Sequence, residues 1–317
     1  MPILYIVIPC YNEEDVIYET AKRIKEKIEN LIKADKISND STIVFVNDGS
    51  KDKTWEIITK LHEDDVIFCG INLAKNAGHQ NAVLAGLMTV KEYCDYVITM
   101  DADLQDDINA IDEMIDKALN GCDVVYGVRS SRKKDAFFKK FTSESFYKIM
   151  KIMGVNIVFN HADYRLMSKR VLENLTEFKE VNLFLRGIIP LIGFESDVVY
   201  YERNERFAGE SKYPLSKMLS FAINGITSFS IKPLRIITII GFITVLISFI
   251  AFIYIILSFF IGNEFPERGW ASIMCSIWFI GGIQILAIGV IGEYIGKTYF
   301  ETKSRPRYII DKFINRK

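Results

Sequence analysis

The chain has 317 residues, with 39 Lys and Arg against 40 Asp and Glu, and its formal charge of -1 carries no global nucleic-acid signature. That length accommodates one α/β domain and a smaller appendage. Its 5 cysteines, Cys10, Cys69, Cys94, Cys122 and Cys275, lack metal-type spacing, which points to reduced, structural thiols. The N-terminus has neither a basic leader nor a cleavable apolar segment, so no signal peptide is expected.

From the N-terminus to about residue 130, short apolar runs alternate with amphipathic stretches, the pattern of a parallel sheet flanked by helices. Strands are expected at Leu4–Ile8, Thr42–Val46, Val66–Ile71, Tyr96–Met100 and Asp123–Tyr126. Helices are expected at Glu14–Ala34, Thr54–Glu63, Gln80–Lys91 and Ile108–Asn120. No Gly-x-Gly-x-x-Gly follows the first strand, and there is no Walker-type loop ending in Lys-Ser or Lys-Thr. This pattern argues against a dinucleotide oxidoreductase and a P-loop enzyme.

Further along, Leu215, Met218, Leu219 and Ala222 fall at helical spacing. They fit either an interfacial helix on a bilayer or an amphipathic helix packed on the domain. Ile236–Ile261 and Trp270–Gly292 contain no charged residue, and each exceeds the roughly 20 residues that cross a hydrocarbon core. Two transmembrane helices are expected, in preference to the buried hairpin of a soluble core. Lys212, Lys217, Lys232 and Arg235 precede the first span, while Lys297, Lys303, Arg305 and Arg307 follow the second. Basic flanks favour the cytoplasmic side, so the N-terminal domain and the tail are both expected there, on a multi-pass protein of the plasma (inner) membrane.

The run Asp101-Ala102-Asp103-Leu104-Gln105 follows the apolar stretch Tyr96–Met100, at the strand end where open α/β sheets bind ligands. Two carboxylates and an amide oxygen suit a hard divalent cation that also takes phosphate oxygens. A solvated Asp-rich turn or helix cap is an equally good account of that run in isolation. The surrounding strings are more specific: IPCYNEE, VNDGSKD, LAKNAGHQNA and DADLQ in this order, then HADYRLMSKR, LRGIIPLIGF, ERFAGESKY and the two apolar spans. With them the chain resembles the family 2 glycosyltransferases, and within these the polyprenyl-phosphate glycosyltransferases, over nearly its whole length.

The resemblance implies an α/β fold of the GT-A type, a nucleotide-sugar domain with a mostly parallel sheet, followed by a two-helix transmembrane hairpin. The corresponding division is a catalytic domain at 1–213, a juxtamembrane amphipathic helix at 214–233, two spans within 234–292 and a basic tail at 293–317. That tail mixes Tyr and basic residues, which suits anionic headgroups or plain solvation.

The resemblance also implies roles. Asp103 is expected as metal ligand, Asp101 on the ribose or the metal, and Gln105 completing the shell, with Mg and Mn equally compatible. Pro9, Tyr11, Glu13 and Asp48 are expected around base and ribose, or else as strand-end turn residues. Lys75, Asn76 and Gly78 look like a loop closing over the nucleoside, or a plain polar turn. Arg129 and Arg132 offer guanidinium forks to an acceptor lipid phosphate, with a basic membrane-surface run including Lys133 and Lys134 as the other reading. Arg206, Ser211 and Lys212 sit in a Gly-containing loop able to fold over the donor diphosphate, or to remain an ordinary surface loop.

Asp163 and Arg165 occupy the position that the family treats as catalytic. A lipid phosphate is already mostly dianionic at neutral pH, its second pKa being about 6, and hardly needs deprotonation, so Asp163 is open to two readings, a catalytic base or a group that orients the acceptor or a sugar hydroxyl. Arg165 is read as offsetting phosphate charge. A helix-capping aspartate ahead of Leu166 is the structural alternative. His161 is assigned no role.

The reaction implied is inverting transfer of one sugar from a nucleotide sugar to undecaprenyl phosphate, by a membrane homo-oligomer that the family resemblance extends to a tetramer. UDP-glucose is the favoured donor, with UDP-GlcNAc, UDP-galactose and GDP-sugars open. A processive synthase is disfavoured because Asn182–Gly187 lacks the Gln-x-x-Arg-Trp pattern. A non-catalytic scaffold keeping the nucleotide-sugar fold is the other alternative.

Overall fold

β1 (Leu4–Cys10) and β2 (Thr42–Asn47) are buried at every residue, as strands covered on both faces must be. They form the centre of the fold in a computed structural model that describes residues 1–130, 161–181, 184–202, 226–227, 230–261 and 269–316. β3 (Phe68–Leu73) and β4 (Tyr96–Thr99) flank them in parallel. With β5 (Val124–Arg129), β6 (His161–Ser168), β7 (Ser196–Tyr201) and β8 (Ile310–Ile314), they complete an 8-stranded sheet in the order β7-β5-β6-β4-β1-β2-β3-β8.

Helices cover both faces. On one side α1 (Ile17–Lys33), α2 (Thr54–Asp64) and α4 (Ala110–Leu119) pack Ile24, Ile28, Ile58, Ile111 and Met114 against Leu4, Ile6 and Ile8. On the other, α3 (His79–Val90), α5 (Lys169–Leu175) and α6 (Leu185–Ile192) pack Leu87, Val171, Leu172 and Ile188 against Tyr5, Val7 and Val44. The alternation of strand and helix up to residue 129 follows the expected order, and the boundaries differ by a few residues.

Two features depart from expectation. The sheet is mixed, because β6 lies antiparallel between β4 and β5, and β8 runs antiparallel to β3. Period-two alternation is hard to see in β6 because it points Asp163 and Arg165 to the same buried face as Met167, so apolarity does not mark that face. As a strand, this segment rules out the helix-capping alternative for Asp163. The second departure is the tail: residues 310–314 form an edge strand of the sheet.

Two long helices, α7 (Lys232–Ile261) and α8 (Trp270–Lys303), stand apart from these layers. Large apolar side chains such as Phe242, Ile247, Ile285 and Leu286 lie on their outside. Among the described residues, Phe279–Lys303 is one stretch long and apolar enough to cross a membrane. Most of the expected amphipathic segment at 214–233 lies outside the described residues.

Candidate active site

The C-terminal ends of β1, β2 and β4 converge, and the loops leaving them are tied together. After β1, Asn12 adopts a left-handed conformation at φ 53°. Its backbone N–H donates to Ser50 Oγ at 3.0 Å, and its Oδ1 accepts from Lys51 N at 2.9 Å. Glu13 N donates to Thr54 Oγ1 at 3.0 Å. Pro9 is buried within β1, whereas Tyr11 is 44% exposed, leaving a ring face open beside these loops.

Asp48 follows β2 and is almost fully buried. Its carboxylate accepts from Ala77 N at 2.6 Å and Gly78 N at 3.0 Å, so it grips the loop that carries exposed Lys75. Burial raises its pKa, against the lowering effect of those two amides. Gly49 permits this contact: at φ +64° it occupies left-handed space, and an added Cβ would lie 2.5 Å from Asn76 N. Asp48 thus acts on the 74–78 loop.

Beyond β4, the Asp101–Gln105 turn is fixed by Thr20 Oγ1 donating to Ala102 O at 2.7 Å and by Leu104 at φ 57°. Asp103 is buried and accepts from Gln105 N at 3.1 Å. The Asp101 side chain remains 38% exposed. Burial pushes its carboxyl up to about 6; His79 opposes the rise, and Asp106, Asp163 and Asp103 add to it.

Asp163 on β6 is the centre of an ion cluster. It accepts from Arg165 Nη2 at 2.5 Å and takes both arms of Arg186 on α6, at 3.1 and 2.9 Å. His79, the first residue of α3, places Nε2 3.6 Å from Asp163 Oδ2 and 3.7 Å from Asp101 Oδ1. Burial opposes ionisation of Asp163, but the Arg186 charge, His79 and Arg165 together hold its carboxyl well below the usual range. Arg165, expected beside phosphates, is instead 1% exposed and turned onto Asp163. It acts on that carboxylate.

A second cluster lies beyond this turn. Buried Asp106 Oδ1 accepts from Tyr201 OH at 2.5 Å and from Arg129 Nη2 at 3.3 Å. Arg129 is thereby directed by β7 and the acidic turn. Arg132, Arg206, Ser211 and Lys212 lie outside the described residues.

The structure therefore brings Asp101, Asp103, Gln105 and Asp163 to one strand end, joined by His79. His79, Arg186, Asp106 and Tyr201 were not singled out in the sequence. His79 and Arg186 lie inside LAKNAGHQNA and LRGIIPLIGF, so their motifs were visible although their roles were not. Among the described residues, no group of three or more His, Cys, Asp or Glu side chains is set to hold a metal ion. A Mg-type ion that keeps several waters and shares substrate phosphates needs only one or two carboxylates. Crowded Asp101 and Asp103 fit that requirement.

Residues 5–176 match the profile of Glycosyl transferase family 2, and residues 232–298 match the GtrB C-terminal hairpin. An uncharacterized glycosyltransferase, YkoT, from Bacillus subtilis is 51% identical, covering 98% of this chain and 91% of the relative. The bactoprenol glucosyl transferase of Shigella phage SfX is 43% identical, covering 96% and 97%. Among solved structures, glucosyl-3-phosphoglycerate synthase from Mycobacterium tuberculosis with Mn2+, UDP-Glc and phosphoglyceric acid has a TM-score of 0.45 at 15% identity, covering 71% of this chain and 78% of that one.

Proposed function

Because this chain belongs to glycosyl transferase family 2 and carries a GtrB C-terminal hairpin, we propose that it transfers a single glucose from UDP-glucose to undecaprenyl phosphate, with inversion. The observation that carries this reading is likeness over nearly the full length of both chains to proteins named bactoprenol glucosyl transferase. The loops after β1, β2 and β4 supply the matching chemistry.

In this mechanism the phosphate oxygen of the lipid forms a bond to the anomeric carbon as the bond from that carbon to the nucleoside diphosphate breaks. No covalent intermediate with the protein is needed. The lipid phosphate, already ionised, requires no strong base. A carboxylate held as low as Asp163 is a weak base, so it serves as a fixed negative group that orients its neighbours. Tyr11 offers a stacking face to the base, and Asp48 holds the 74–78 loop over the nucleoside. Arg129, aimed by Asp106 and Tyr201, takes the acceptor phosphate.

Asp103 and Asp101, with Gln105, would hold Mg or Mn, which supplies charge neutralisation to the departing diphosphate. We place α7 and α8 across the plasma membrane, with the N-terminal domain cytoplasmic; the basic flanks and outward apolar side chains support this topology. A homo-oligomer, as large as a tetramer, fits helices with apolar outer faces.

The test is transfer of labelled sugar from a panel of UDP- and GDP-sugars to undecaprenyl phosphate by detergent-purified protein, with Mg, Mn or EDTA. A chloroform-soluble, acid-labile product made from UDP-glucose and lost in EDTA is expected. Product from another donor replaces the sugar assignment. Nucleotide binding without lipid product under any condition removes the acceptor, and no nucleotide binding at all favours a scaffold.

A further inference from the structure

The loop gripped by Asp48 is held at its other end by a remote part of the chain. Ala74, where the loop leaves β3, donates its N–H to Ile309 O at 2.9 Å. From there β8 runs antiparallel to β3, pairing Leu73 with Ile310, Asn72 with Lys312 and Gly70 with Ile314. Gly70 lies between α2 and this strand: a Cβ there would be 2.6 Å from Ile58 Cγ2 and 3.0 Å from Ile314 Cδ1. The pairing is irregular between Asn72 and Leu73, next to the loop.

A polar ladder crosses the sheet edge at the same level. Asp311 Oδ2 accepts from Asn72 Nδ2 at 3.1 Å, and Asn72 Oδ1 accepts from Asn47 Nδ2 at 2.7 Å. Asn47 Oδ1 in turn accepts from Ser50 N at 3.2 Å. Asn47 directly precedes Asp48. An amide presents both a donor and an acceptor, so each asparagine relays orientation from the strand at the edge to the loops inside.

We propose that the C-terminal strand is a positioning element for the nucleotide-binding loops, and that Asp311, through Asn72 and Asn47, is a positioning residue for donor binding. This deepens the reading of the 48–50 and 74–78 loops as a nucleoside site, and it rests on that reading. It also explains why the chain returns from α8 to the far edge of the sheet: the segment that leaves the hairpin finishes the donor site.

The ladder makes the proposal separable from a structural role. Arg316, just past β8, donates to Asn39 O at 3.0 Å and pairs with Asp40, both ahead of β2 and at the opposite end of that strand from the 48–50 loop. Asp311→Ala, Asp311→Asn and Arg316→Ala would be compared in the full-length protein, by calorimetric titration with UDP and by thermal unfolding. Asp311→Ala is expected to weaken UDP binding about three- to tenfold, the range of one ordinary net hydrogen bond. Asp311→Asn retains an acceptor oxygen and is expected to stay within about twofold of the parent. Arg316→Ala is expected to leave UDP affinity unchanged, whatever it does to the unfolding temperature.

Unaltered UDP affinity in Asp311→Ala, or equal weakening in Arg316→Ala, overturns the inference. If the parent itself fails to bind UDP, the nucleoside-site reading is what falls. If UDP binds and the Asp311 pattern holds but no sugar reaches the lipid, the inference stands and the acceptor assignment falls.

Discussion

The two halves of the candidate site are held together by different forces. Around β1, β2 and β3, loops are joined by backbone amides and short polar side chains from neighbouring turns, such as Asn12 with Ser50 and Asp48 with Ala77. Around β6, charged side chains from distant segments meet on a buried face: Asp163 with Arg165, Arg186 and His79. The first half adjusts as a loop does. The second has discrete charge partners, and removing one leaves the others buried without compensation. A donor that must enter and a product that must leave suit the former, while a group that must stay ionised suits the latter.

The comparison can be sharpened by mutation. The largest effect is expected outside either framework, at Asp103→Ala: transfer falls to background while the fold is retained, read by activity beside circular dichroism. Full turnover in a folded variant would remove the metal assignment.

Next comes Asp163→Asn, which strips the cluster of its anion and costs about 3 kcal/mol. Its pH signature has a definite sign. The Asp163 pKa is depressed in the fold, so the stability tied to its charge is fully present above the unfolded carboxylate value of about 4 and is lost as pH falls through the lower folded value. The gap between parent and variant in denaturant unfolding should therefore narrow in acid, below about pH 4, and by a smaller amount on the alkaline side, where His79, whose pKa Asp163 raises, gives up its charge. A gap that stayed constant through the acid range would contradict the assigned ion pairing.

Arg186→Ala leaves Arg165 in place and is expected to cost roughly 2 kcal/mol, with Arg186→Lys recovering only part because it lacks the fork. In the other half, Gly49→Ala forces a Cβ toward Asn76 N from a left-handed backbone and is expected to cost at least about 1 kcal/mol. There the donor KM should rise while the pH profile of stability is unchanged. If Gly49→Ala altered the acid limb, or Arg186→Ala acted only on donor KM, the division between the halves would be wrong.

Those forces also decide what was legible in the sequence. Apolar runs reveal β1 to β5 because a strand covered on both faces must be apolar along its length, and Asp101–Gln105 follows one of them visibly. β6 escapes because its buried face carries Asp163 and Arg165, whose burial depends on Arg186 from a helix about twenty residues away in the chain. β8 escapes for another reason: an edge strand with adjacent charges at Asp311 and Lys312, in a tail rich in Lys and Arg, has the composition of a solvated tail. Asp48 was legible as a site residue, but its hold on Ala77 and Gly78 required the register of β2 and β3.

The length of α8 has a consequence of its own under the proposed topology. Its 34 residues make a rod of about 50 Å at 1.5 Å per residue, whereas a hydrocarbon core is about 30 Å thick. Roughly 20 Å of helix, ending at Lys303, is left over as a stilt above the bilayer. The reaction centre then stands at a height above the membrane surface, and the lipid phosphate must be lifted to meet it or the domain must lean down. Shortening that stilt by whole turns would vary the gap without touching a single residue of the site.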